Sequence, residues 1–393
     1  MKIKNVEIFK MYCKDAFGWA PIGCRVHTDE DIYGDGEAAL GYGIGSSAAF
    51  GMIKDLSSLV IGMNPMDTEV IWDKLYKTTF WGQNGGPVVF AGISALDTAL
   101  WDIKGKALNL PLYSMLGGKK RDKLRTYASQ IQGGFGPVHE WQKSPEDYAN
   151  ISKKCVALGY DAVKIDFLSV APDGSFLTNE MRKGLLLPYY LHLIEDRVAA
   201  VREAIGPEVD IIVENHSNLD ALSAVQVAQA IEKYRIFFFE EPNTPTPKTL
   251  KYIADKTSIP IANGERIYSR WQYAPYFENM SIQVAQPDIG TCGGITEAKK
   301  ICDMAYVYDV AIQAHVCASP LGTPVALALE ACIPNFCIHE HHLVNLHQYN
   351  KNLCIHDYQP ENGFFSVPDL PGIGNEYSEK AIKEALEYCN VTT

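Results

Sequence analysis

The chain lacks any apolar run of the roughly 18 residues that a membrane span requires. Its start, MKIKNVEIFKMYCKD, has no apolar core of a secretory leader. A cytoplasmic location with no membrane partner is therefore expected. No CxxC pair occurs among the ten scattered cysteines, so zinc and dithiol redox chemistry are not expected. Buried free thiols are the expectation, with Cys317, Cys332 and Cys337 placed in apolar strands. A basic excess is also missing: 35 Lys and Arg stand against 47 Asp and Glu, for a net charge of −12. That balance argues against nucleic acid, whose phosphates demand a basic face. The glycines of LGYGIGSS (Gly41, Gly43, Gly45) do not form GxGxxG and read as a flexible loop rather than a nucleotide site. A small-molecule partner is what these absences leave.

What is present is enough apolar side chain for a sizeable core, 47% of the 393 residues, with 21% charged. KIKNVEIFKMYC and GCRVHTDEDIYGDGEAALGYG predict antiparallel strands joined through turn-forming residues. GPVVFAGISALDTALWDIKGKALNLPLYSMLGG follows with helical periodicity up to Gly117 and Gly118. From about Leu124 the texture becomes short apolar strands separated by amphipathic stretches: LRTYAS, DAVKID, DIIVE, IFFFE, PIANGE, IQVAQPD, AIQAH and FCIHE. Eight such units predict an α/β barrel of parallel strands, each followed by a helix. VAPDGSFLTNEMRKGLLLPYY is extra length, expected over the barrel mouth. The tail after Glu340 is expected to fold back on the first segment and to end in a helix over EYSEKAIKEALEYC. The expected division is a capping segment 1–125, a barrel 126–341 and a returning segment 342–393.

Reading the end of each strand gives Glu214, Glu240, Glu265, Asp288, His315 and Glu340, at intervals of about 25 residues. In such a barrel the carboxyl ends of the strands form one ring, where active sites lie. Three carboxylates on consecutive strands repel one another unless a cation lies between them. An all-oxygen set with open positions suits Mg²⁺ better than zinc, so Glu214, Glu240 and Glu265 are the expected metal ligands.

Asp288 and His315 end neighbouring strands, and a carboxylate beside an imidazole makes a general base. His216, two residues past Glu214, is expected on the same side as that ligand, as a second acid or base across the metal. Lys164 and Asp166 in VKID are open in role: either can point inward, the lysine toward a substrate carboxylate or an anionic intermediate, or into an ion pair with a ligand glutamate. Glu340 is either a protonated donor to a substrate carboxylate or a structural acceptor. Arg266, beside Glu265, and Trp81, in the capping segment, are further candidates for substrate contact.

These residues, together with FFFEEPNTP, IANGERIYSRW, AQPDIGTCGGITEAKKI and the helix ISALDTALWDIKGKALNLPLYSMLGG, resemble the enolase superfamily. Within it, the closest likeness is to the mandelate racemase subgroup and its sugar-acid dehydratases. The resemblance spans nearly the whole chain. It implies a modified (β/α)7β barrel of the TIM type with an α+β capping domain, one Mg²⁺, and a homo-oligomer. His315, paired with Asp288, would remove the proton α to the substrate carboxylate, and His216 would protonate the departing 3-hydroxyl to give a 2-keto-3-deoxy sugar acid. Glutamate at 214 departs from the aspartate found in many relatives without changing its role. Asp166 stands where racemases of the subgroup carry a second lysine, which weakens an epimerase reading, although His216 could replace that base. Cycloisomerases carry lysine where Asp288 sits. A silent binding or regulatory homologue is the remaining alternative, and the filled metal and dyad positions argue against it.

Overall fold

The structure is a computed structural model that describes residues 1–13 and 18–392. The stretch CKDAFGWAPIGC is, by its place in the capping segment, a candidate for shaping specificity, and its residues 14–17 lie outside the described residues.

Three amino-terminal strands, β1 (Ile3–Lys10), β2 (Ile22–Thr28) and β3 (Tyr33–Ala38), form an antiparallel meander. The inward residues of β1, Ile3, Val6 and Ile8, break strict alternation because a bulge separates Ile3 from Asn5. The long helix Pro87–Leu108 packs directly against β3. Gly34 and Gly36 permit this, since a Cβ on either would lie about 2 Å from the helix carbonyls of Ala99 or Ala95. Asn109, left-handed at φ 53°, and Pro111 end that helix before the short turn Leu112–Met115, so the expected continuous helix is two.

The barrel strands are β4 (Lys123–Ser129), β5 (Ala162–Ile165), β6 (Asp210–Glu214), β7 (Ile236–Glu240), β8 (Ile261–Asn263), β9 (Val284–Ala285), β10 (Ala311–Ile312) and β11 (His339–His342). They run parallel from β4 to β10 in sequence order, and β11 returns beside β4. The ring closes where Ile312 donates its N–H to the Asn335 carbonyl at 2.7 Å and accepts from Cys337 at 2.8 Å. All eight expected strands are present, although none of the three cysteines expected in strands lies in one: Cys332 ends a helix, and Cys317 and Cys337 are in connecting segments.

Period-two alternation divides the barrel interior into layers. Tyr127, Ala162, Ile212, Phe238 and Ile338 fill the lower layer. Two residues further along the same strands, and still facing inward, come Ser129, Lys164, Glu214, Glu240 and Glu340. The apolar plug thus lies beneath a polar floor.

Two further strands complete the chain, β12 (Phe364–Ser366), paired with β4, and β13 (Glu387–Val391), paired with β1. The tail does return to the first sheet, but its end is not the expected helix. Only Glu379–Lys383, capped by Ser378, is helical, and Cys389 and Val391 instead pair with Ile8 and Val6. An unpaired edge on β1 outweighs weak helical propensity. The capping sheet is fastened to the barrel through polar contacts of the long helix: Asp97 accepts from Thr296 N at 2.9 Å and Oγ1 at 2.6 Å, and Ser94 from Gly293 N at 2.9 Å. Among the described residues no helix is long and apolar enough to cross a membrane.

Candidate active site

Glu214 and Glu240 face each other directly in the register of β6 and β7. Both are buried, and Lys164 Nζ lies 2.6 Å from Glu240, 2.9 Å from Glu340 and 3.3 Å from Glu214. The lysine therefore lies behind the carboxylates as their shared counter-ion and is itself only 1% exposed. It does not line the cavity, and of its two expected roles the structure shows the ion pair with ligand glutamates rather than a place on the cavity wall.

Glu340 is equally enclosed. Ser129 Oγ donates to one oxygen at 2.6 Å and Val316 N–H to the other at 2.9 Å. Burial would raise its carboxyl pKa, but Lys164 and His315 pull it below the usual carboxylate range. Glu340 is thus an ionised acceptor that positions β10 and Lys164, not a protonated donor facing substrate.

One oxygen from each of Glu214, Glu240 and Glu265 comes within 4.8 Å of the others. Glu214 Oε1 and Glu240 Oε2 are buried and accept no well-aligned hydrogen bond, although His216 Nε2 approaches the former at 3.2 Å. Buried carboxylate oxygens without donors are costly, and an oxygen-only trio is the donor set a hard divalent cation takes. The residues fit a metal site. Glu265 lies two residues past the end of β8, and Asp288 and His315 each lie three past the ends of β9 and β10, so only Glu214 and Glu240 are true last residues of strands.

His315 Nδ1 lies 2.7 Å from Asp288 Oδ2, and its Nε2 lies 2.9 Å from Glu265 Oε2. Burial would lower the imidazole pKa, yet Glu265 and Asp288 outweigh it and hold the ring well above its ordinary value. Gly290 N–H in turn donates to Asp288 Oδ1 at 2.7 Å.

A second pair mirrors the first. His216 Nδ1 lies 3.0 Å from Asp166 Oδ2, and Leu168 N–H steadies Asp166 through Oδ1 at 3.0 Å. His216 is pushed up to about 10: burial opposes protonation, but Glu214 and Asp166 favour it more strongly. The ring does not reach this place as a strand residue would. His216 (φ 46°) and Ser217 (φ 59°) are both left-handed, turning the chain so that the imidazole folds back over Glu214. Backbone bonds from Asn215 to Glu240 and from Ser217 to Glu241 hold that turn.

The two imidazoles thus flank the carboxylates, His216 touching Glu214 and His315 touching Glu265. Both face a cavity of about 630 Å³. Asp166 and Arg266 line it, with Arg266 paired to Glu241 and Glu265. Trp81 does not: it is three-quarters exposed, packed edge-on against Phe80 in the segment after the helix Thr68–Thr78. Tyr42, Trp141 and Phe176 supply aromatic wall instead.

Gln130, Gln132 and Arg182 line the cavity and had not been singled out from the sequence. Gln130 follows the last residue of β4, is left-handed (φ 63°), and donates to Glu214 Oε2. Its position at a strand end carried the signal, which a search for ionisable groups alone passes over.

The barrel mouth thus carries three carboxylates that could hold a cation, flanked by two carboxylate-paired imidazoles. The model for "Enolase C-terminal domain-like" matches residues 147–381, and that for "Mandelate racemase / muconate lactonizing enzyme, N-terminal domain" matches residues 22–117. The chain belongs to the mandelate racemase/muconate lactonizing enzyme family, with the enolase-superfamily fold. It is 32% identical to the D-galactonate dehydratase of Pectobacterium atrosepticum over 98% of this chain and 94% of that protein. It is also 32% identical to the D-xylonate dehydratase of Haloferax volcanii, over 89% and 81%. A solved member of the enolase superfamily from Salmonella Typhimurium is 49% identical, with TM-score 0.96 and all of both chains covered.

Proposed function

We propose that the chain is a Mg²⁺-dependent dehydratase of an acid sugar, an aldonate or aldarate, yielding a 2-keto-3-deoxy acid. The observation that carries this reading is the pair of aspartate-oriented imidazoles on opposite flanks of three carboxylates. Relatives named as galactonate and xylonate dehydratases support the reaction class. A divalent cation held by Glu214, Glu240 and Glu265 would let a substrate carboxylate approach three others, and would engage the Glu265 carboxylate that otherwise holds His315 protonated.

His315, oriented by Asp288, removes the proton at C2. The electron pair left behind forms the C2–C3 double bond and expels the 3-hydroxyl. That group leaves as water with the proton on His216, which Asp166 holds in the protonated form. The resulting enol tautomerises to the ketone. Lys164 and Glu340, buried in the same floor, keep Glu214 and Glu240 in place rather than touching substrate.

Two imidazoles on opposite flanks also favour a second reading, epimerisation at C2 by removal on one face and return on the other. Incubation with Mg²⁺ and a panel of hexonates and aldarates decides between them. A keto product trapped with semicarbazide supports dehydration. Exchange of the α-proton in D₂O with inversion and no keto product makes the chain an epimerase, and neither reaction across the panel makes it a binding or regulatory protein. His216→Asn should abolish dehydration while sparing exchange, whereas His315→Asn should lose both. An unchanged dehydration rate in the His216 variant would remove that residue from the mechanism.

A further inference from the structure

The segment between β5 and the helix Pro188–Ile205 carries two arginines with opposite surroundings. Arg197, fully buried, donates to the carbonyls of Phe167, Val170 and Lys143 at 2.5–2.7 Å and thereby ties the segment to the barrel. Arg182 has no such duty. It is nine-tenths buried and lines the cavity. Its contacts are long ones to neutral oxygens, Leu168 O at 3.5 Å and Asn179 Oδ1 at 3.2 Å, and its Nε has no partner.

The other cationic groups near the reacting centre are already matched. Lys164 meets three glutamates, and Arg266 meets Glu241 and Glu265. Among the described residues, Arg182 is the guanidinium of the cavity wall that has no carboxylate within ion-pair distance. Burial lowers its pKa, with Asp166 only partly opposing that effect. A guanidinium buried in a cavity wall, with one nitrogen unpartnered, its other contacts long and no carboxylate beside it, is under-satisfied, and a planar fork of donors is matched best by a carboxylate.

From this geometry we infer that Arg182 binds a second carboxylate, at the far end of the substrate from the one beside the metal ligands, so that the preferred substrate is an aldarate rather than an aldonate. The inference rests on the acid-sugar dehydratase reading and narrows it. Arg182 approaches from the side of Asp166 and His216, bonding the carbonyl of the same Leu168 whose N–H steadies Asp166. A six-carbon diacid with C2 at His315 and C3 at His216 would extend its remaining carbons along this wall, past Phe176 and Leu177.

Calorimetric binding to the full chain loaded with Mg²⁺ tests this without requiring turnover. The ligands are two matched pairs, galactarate with galactonate and glucarate with gluconate. At least one aldarate should bind about tenfold or more tightly than its aldonate. Arg182→Gln should erase that preference while leaving aldonate affinity within about twofold, and Arg182→Lys should restore part of it. An unchanged melting temperature shows that the segment has not unfolded in the variants. Equal affinities in both pairs, or a preference that survives Arg182→Gln, would overturn the inference. Dehydration of aldonates alone, insensitive to Arg182→Gln, would also overturn it while leaving the dehydratase reading intact. An Arg182-dependent aldarate preference without any turnover would uphold the anion site and remove the dehydratase reading instead.

Discussion

Asp166 Oδ2 lies 3.0 Å from His216 Nδ1, across 50 residues of sequence, and gives the second imidazole the same kind of carboxylate partner that Asp288 gives His315. Asp166 touches no reacting atom in the proposed reaction, so it is a positioning residue for His216. Asp166→Asn should lower kcat for dehydration by about 100-fold, within the range that general acid catalysis supplies, with little change in KM. Exchange of the α-proton through His315 should persist. Single-turnover dehydration and D₂O exchange measured on one preparation check this, and equal loss of both would point to collapse of the site.

The carboxylate trio leads to a prediction about metal alone. Wild-type chain should bind one Mg²⁺ per subunit by calorimetry, and Glu214→Gln or Glu240→Gln should weaken that binding by at least about tenfold, because each removes a full negative charge from an oxygen donor set. Chelation should lower the melting temperature of the wild type more than that of either variant. Binding that survives in both variants would place the ion elsewhere.

Lys164 is the buried cation that lets Glu214, Glu240 and Glu340 share one floor. Removing one partner from a buried ionic cluster typically costs about 3–5 kcal/mol. Lys164→Met should destabilise metal-free protein on that scale in urea, and saturating Mg²⁺ should recover part of the loss by replacing positive charge beside two of the three glutamates. A variant as stable as wild type without metal would show that the carboxylates are protonated there.

His341 provides a pH-dependent test away from the cavity. It is buried, pairs through Nδ1 with the Tyr160 hydroxyl at 2.6 Å, and has no partner for Nε2. Burial, reinforced by His339 and His342, pushes it down to about 3. The unfolded chain therefore takes up this proton first, so the stabilising share of His341 is full above about 6.5 and drains away as pH falls toward 3. Urea unfolding at several pH values should show that slope, and His341→Gln should make it shallower. Part will remain, since His342 and His347 are lowered in the same direction. An unaltered slope would mean that His341 takes up its proton over the same pH range in both states.

The eight barrel strands and the position of Glu214 and Glu240 at the mouth could be read along the chain because strand alternation is local. Every second residue of DIIVE or IFFFE faces inward whatever surrounds it, so an acidic terminus after an apolar run already implies a polar layer above a plug. The Asp288 and His315 pair was legible for the same reason, through register between neighbouring units. The final strand was misread as helix because its pairing partner, β1, is more than 370 residues away and no local pattern announces it.

Long-range placement accounts for the remaining differences. Nothing in VKID says that Lys164 turns under three glutamates while Asp166, two residues on, reaches His216. Both point to the same side of the strand, and strand order together with the left-handed turn at His216 settles which charge meets which. Trp81 lies in a bend and Arg182 ends the three-residue 3-10 helix Glu180–Arg182, segments too short for sequence periodicity to carry directional information. Their paths leave the tryptophan exposed to solvent and the arginine on the cavity wall. The order of chemical groups around the barrel mouth follows from short-range backbone geometry. Their partners depend on contacts between segments far apart in the chain, because charge pairing in a buried site is set by distances that exist once the ring has closed.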